Sequence, residues 1–173
     1  MSRTVTVTRT YLEMRAADQL RPAVAEDPLL RLARVPVMSV ALAQRLYREV
    51  GAAYHWTDRW RWTAAEWQAW VTAVGSGTWI LTRDGELAGF FELRTDPDGA
   101  VEISLLGLTA PFQGRGLGRY LVTRAVETAW AVGATRVWLH TCTLDHPAAL
   151  PNYLARGFVP FRTETYEAEL PDA

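Results

Sequence analysis

Cysteine is almost missing: Cys142 stands alone, which excludes an intrachain disulfide and the thiolate clusters of cysteine-rich metal sites. It reads as a small buried residue rather than a reactive thiol. Histidine is sparse too, and His55, His140 and His146 form no metal-ligand spacing, so no metal is expected. Excess charge is absent as well. With 18 basic and 19 acidic residues the chain carries a formal charge of −1, which leaves no broad field for nucleic acid or anionic lipid. No apolar run reaches the length of a membrane span, and the opening "MSRTVTVTRTYLEM" alternates polar with apolar residues where a signal peptide would be continuously apolar. A soluble, cytoplasmic protein with no nucleic acid or membrane partner is the expectation. Repeats, low-complexity tracts and linkers are lacking too, and 173 residues suit one domain spanning 1–173.

What is present reads as a mixed α/β chain. "TVTVTRTYLEM" has the period of a strand, and the polar loop "RAADQLRPAVAEDP" follows. Helices are expected from Ser39 to Val50 and from about Thr63, where Glu66 three residues later completes a capping box. Then the period changes. "GTWILTR", the turn "DG" and "ELAGFFELR" predict a hairpin, and "GAVEISLLGLT" a third strand beyond "DPDG". A helix from about Arg115 to Val132 puts Leu117, Leu121, Val122, Ala125 and Ala129 on one face. The strand "TRVWLHTCT", the short helix "HPAALPNYLAR" and the extended "GFVPFRTETYEAEL" complete the order.

Three glycines, Gly114, Gly116 and Gly118, sit where the third strand of this group turns into the long helix. A helix start offers unsatisfied N–H groups and a positive dipole end, and glycine lets an anion approach the main chain, so this turn suits a diphosphate. A nucleoside triphosphatase loop would need Lys then Ser or Thr after the glycines, and Arg119 and Tyr120 stand there instead. The spacing also departs from the dinucleotide fingerprint, leaving a different diphosphate carrier.

"QGRGLG", Gln113 to Gly118, resembles the acyl-CoA pyrophosphate loop of the GNAT N-acetyltransferase superfamily. "DHPAALPNYLARGF", Asp145 to Phe158, is similar to that superfamily's later motif, a short helix ending in Tyr, three residues, then Gly-Phe. The resemblance covers roughly Thr78 to Leu170. It implies a mostly antiparallel central sheet with a splayed parallel strand pair and helices on both faces. It further implies acetyl-CoA as co-substrate, its pantetheine arm against Leu106, Gly107 and Leu108, and its phosphates at Gln113, Gly114, Arg115, Gly116, Leu117, Gly118 and Arg119. His146 stands where relatives often carry an asparagine that bonds the pantetheine arm. Tyr153 matches the family's proton donor to the departing thiolate, and Glu102 the glutamate that deprotonates the amine, provided that a strand bulge does not turn it away. His140 is the structural histidine of this reading.

The acceptor is expected in the segment before the second helix, at Tyr54, Trp56, Asp58 and Arg59, where charge and aromatics cluster with His55, Trp60 and Trp62. Trp67 and Trp70 read as packing. Asp58 would receive a substrate ammonium and Arg59 a carboxylate or phosphate, with a mutual surface ion pair as the alternative. The implied activity is acetyl transfer to a primary amine of a small molecule by direct attack in a ternary complex. A protein or peptide N-acetyltransferase and a non-catalytic acyl-CoA sensor are the alternatives, and a homodimer is left open.

Overall fold

Alternation of apolar and polar side chains over Ser2–Met14 gives β1, a long strand paired on both edges in the computed structural model, which describes residues 2–171. The remaining elements are β2 (Leu30–Arg34), α1 (Val40–Gly51), α2 (Ala64–Val71), β3 (Ser76–Arg83), β4 (Glu86–Thr95), β5 (Val101–Leu108), α3 (Leu117–Ala131), β6 (Val137–Cys142), α4 (Ala149–Ala155) and β7 (Val159–Pro171). They form a seven-stranded sheet in the order β2-β3-β4-β5-β6-β1-β7. Every neighbouring pair is antiparallel except β5 and β6.

Local signals place the helices. Ser39 Oγ accepts from the Leu42 N–H at the start of α1. At α2 the Thr63 side chain accepts from the Glu66 N–H while Glu66 accepts from the Thr63 N–H at 2.7 Å, the reciprocal cap expected from sequence. Pro151 is tolerated in α4 because it lies in the first turn, where its missing N–H breaks no helical bond. Sequence reasoning missed β2. Its five residues, "LRLAR", are too few for a clear period, and pairing with Trp79 to Arg83 makes them a strand.

Adjacent residues of β4 point to opposite faces and define two cores. Phe91 and Leu93 pack with Val101, Leu139 and the apolar stripe of α3, whereas Phe90 packs with Leu46 and Val50 of α1. Two irregularities then shape the functional region. Direct β5–β6 pairing stops after Val101↔Val137 and Glu102↔Trp138; beyond it β5 stays with β4 and β6 with β1, opening a wedge between parallel strands. The second is a bulge. Ile103 lies opposite Leu93 and Leu105 opposite Glu92, leaving Ser104 as the extra residue.

Candidate active site

The glycine-rich turn closes one end of the wedge. Gly114 and Gly116 have φ of +73° and +77°, a left-handed backbone that β-carbon-bearing residues avoid. Gly116 caps α3 without a side chain to take the first-turn donors, so those N–H groups face outward. A Cβ at Gly114 would meet nothing within 4 Å, which leaves open space above the cradle for a phosphate group. Gly118 differs: its φ is ordinary for a helix, and a Cβ there would point between Asn152 of α4, 3.7 Å away, and Leu108 of β5, 3.9 Å away.

From this cradle a cavity of about 850 Å³ runs down the wedge and under the α1–α2 segment. Most of the residues expected at the co-substrate line it, Tyr153 and His146 included. Arg115 and Leu117 do not: Arg115 lies over the Phe112 ring and Leu117 is buried in the core. All four residues expected at the acceptor, Tyr54, Trp56, Asp58 and Arg59, line the same cavity.

Glu102 faces this cavity, and the bulge decides it. Glu102 lies opposite Arg94, on the face that also carries Phe90 and Glu92. After Ser104 the parity changes, so that Leu105 and Gly107 turn toward α1 and Trp56. The Glu102 carboxyl has no hydrogen bond or ion pair among the described residues. Burial, reinforced by the Asp96 charge and opposed by Arg94, pushes its pKa up to about 7. A carboxylate that titrates there is matched to accepting a proton at neutral pH.

Tyr153 stands across the wedge on α4, only 9% exposed, with its ring edge-on to Phe158. Burial raises its phenol pKa, which keeps the proton on oxygen. The glycine four residues after Tyr153 has a steric cause. Gly157 adopts φ +104°, and a Cβ there would fall 2.1 Å from the Gln19 carbonyl oxygen.

His146 Nδ1 accepts from the Ala148 N–H at 3.0 Å, which leaves the ring proton on Nε2 as a donor. That imidazole N–H lies beside Tyr54, whose ring is edge-on at 5.7 Å. Tyr54 Oη in turn accepts from Gln113 Nε2, joining the segment between α1 and α2 to the glycine-rich turn. His140 packs against Tyr11, and burial followed by the Arg9 charge lowers its pKa.

The alternative of an Asp58–Arg59 surface pair gives way to a different arrangement. Arg59 is 7% exposed and donates from both terminal nitrogens to Glu92, at 3.0 and 3.4 Å, beside the contacting rings of Trp62 and Trp70. Its charge is therefore already used, and a buried pair replaces the solvent-facing role. Trp70, expected to be core packing, lines the cavity with Arg94 stacked on it at 3.6 Å. Sequence reasoning also missed Glu92, Arg9 and Tyr166. Glu92 looks like a hairpin residue, and Arg9 and Tyr166 meet only because β1 and β7 pair across the whole chain, with Arg9 donating to Tyr166 Oη at 3.2 Å.

No group of three or more metal-ligating side chains is placed to hold an ion among the described residues, and no described helix is long and apolar enough to cross a membrane.

Residues 41–158 match the acetyltransferase (GNAT) family. Mycothiol acetyltransferase of Jonesia denitrificans is 33% identical over 81 residues, 46% of this chain and 26% of that protein. Its Thermomonospora curvata counterpart is 30% identical over 97 residues, 56% and 32% of the two chains. The chain thus spans about a quarter to a third of the length of these relatives. Among solved structures, a GCN5-related N-acetyltransferase from Kribbella flavida superposes with a TM-score of 0.66 at 22% identity, over 98% of this chain and 61% of that one. An aminoglycoside acetyltransferase from an uncultured soil metagenomic sample, in complex with sisomicin, gives 0.56 at 14% identity over 74% and 86%.

Proposed function

The chain belongs to the acetyltransferase (GNAT) family, and we propose from this that it transfers the acetyl group of acetyl-CoA to the primary amine of a small molecule. One observation carries the reading: a single cavity joins an uncapped, glycine-lined helix start to a half-buried, unpaired glutamate and a buried tyrosine.

The residues divide the work. Main-chain donors of Gly116 to Arg119 hold the diphosphate, with the Arg119 side chain lying beside Gly116. The β5 edge freed beyond Glu102 pairs with the amide groups of the pantetheine arm as a further strand would, and its N–H groups polarise the thioester carbonyl. Glu102 takes the proton from the ammonium so that the amine attacks the carbonyl carbon. As the tetrahedral adduct collapses and the carbon–sulfur bond breaks, Tyr153 gives its proton to the leaving thiolate. Asp58, which has no ion-pair partner among the described residues, receives a further cationic group of the acceptor. A cavity lined by Tyr54 and Trp56 suits a small amine better than a folded protein substrate.

The test is titration calorimetry with acetyl-CoA, followed by thiol release against panels of small amines and of peptides. Binding with turnover on small amines is expected. Turnover confined to peptides would replace the acceptor class, and binding without turnover on either panel would leave an acyl-CoA sensor.

A further inference from the structure

We infer that Arg59 and Glu92 form a positioning couple, which docks the acceptor-side segment 52–62 onto the sheet and holds the β5 bulge in the register that turns Glu102 into the cavity. The inference rests on the acetyltransferase reading only in naming what is positioned.

Every polar group of the couple points to this use. Glu92 is 7% exposed at the middle of β4. One of its carboxylate oxygens accepts from Arg59 at 3.0 Å and from Ser104 Oγ at 2.6 Å, and its main-chain carbonyl accepts from the same hydroxyl at 3.2 Å. Ser104 is the bulged residue itself, two positions from Glu102. The bulge therefore has a hydrogen-bonded lock, and the lock is shared with the loop. On the loop side, the Arg59 main-chain N–H donates to Tyr47 Oη of α1 at 3.2 Å. The guanidinium is stacked 4.2 Å from the centroid of Trp70 and 4.8 Å from that of Trp62. A buried ion pair seldom adds net stability over apolar side chains of the same volume, but it fixes geometry because only one arrangement satisfies both charges. Here that arrangement ties three separate elements, the loop, β4 and β5, around one carboxylate.

The charged groups bearing on Glu102 are Asp96 and Glu92, which raise its pKa, and Arg94 and Arg59, which lower it. Glu92→Gln leaves the Arg59 cation unopposed and should move the Glu102 midpoint down, whereas Arg59→Met leaves the Glu92 anion unopposed and should move it up. Either single change strands a buried charge and threatens folding, so Arg59→Met/Glu92→Leu serves as the fold-safe variant.

The experiment combines carboxyl NMR titration of Glu102, amide exchange of residues 57–62 and steady-state kinetics, all on the full chain. Expected are opposite midpoint shifts of roughly half a pH unit in the two single variants. Exchange of the 57–62 amides should be about a hundredfold faster in the double variant. Its kcat/KM for the amine should fall roughly ten- to a hundredfold, with acetyl-CoA affinity kept. An unmoved Glu102 midpoint in both single variants, or wild-type exchange and wild-type acceptor KM in the double variant, would overturn the positioning role. Failure of wild-type protein to bind acetyl-CoA would instead sink the acetyltransferase reading, since titration and exchange need no substrate.

Discussion

Glu102 and Tyr153 carry opposite demands that burial meets in the same way. Desolvation disfavours charge on either group, so the glutamate titrates near neutrality and the tyrosine keeps its proton. Glu102→Gln should remove an acid limb centred near pH 7 from kcat/KM. The rate loss, about ten- to a thousandfold, should be greatest between pH 7 and the pKa of the acceptor amine and close above it. The same substitution carries a stability signature. The folded carboxyl titrates near 7 against an ordinary 4.5, so the folded chain binds the proton more tightly and loses stability as pH rises between those values. Glu102→Gln should therefore raise stability at pH 8 by about 1–3 kcal/mol and leave it unchanged at pH 4, as denaturant titrations at the two pH values will show. Tyr153→Phe should bind acetyl-CoA normally and turn over roughly ten- to a thousandfold more slowly. Wild-type turnover would make its ring a packing group alone.

Two turns flank the cavity elements, and each depends on glycine for a different reason. Gly116 needs its positive φ, so Gly116→Val strains the start of α3. Gly118 lies inside α3 with room for a Cβ, and Gly118→Val should keep the fold while its side chain enters the gap between Leu108 and Asn152. Acetyl-CoA affinity is expected to fall by roughly a hundredfold or more in that variant, measured by calorimetry, and unchanged affinity would move the diphosphate away from this turn. Gly157 is structural. With its Cβ position 2.1 Å from the Gln19 carbonyl oxygen, Gly157→Ala should lose about 2–4 kcal/mol and several degrees of melting temperature by scanning calorimetry.

At the scale of the whole molecule the site belongs to no single segment, because β5, α3 and α4 contribute its walls and β1 and β7 its far side. Acetyl-CoA should accordingly slow amide exchange at 106–108 and at 116–119 in one transition with one apparent affinity. Protection at the glycine turn alone would limit the contact to the diphosphate. Much of this was legible in the chain itself. The period-2 runs, the Thr63–Glu66 cap and the two motifs depend on neighbours a few residues apart, and local geometry obliges such neighbours to act together. Tertiary structure decided the rest. It made a strand of "LRLAR", gave Arg59 to Glu92, brought Arg9 to Tyr166 and used the Ser104 bulge to set the facing of Glu102. Those outcomes turn on strand register and on which buried charge finds a partner. Both are contests between residues distant along the chain, decided only when the sheet has closed and water has left.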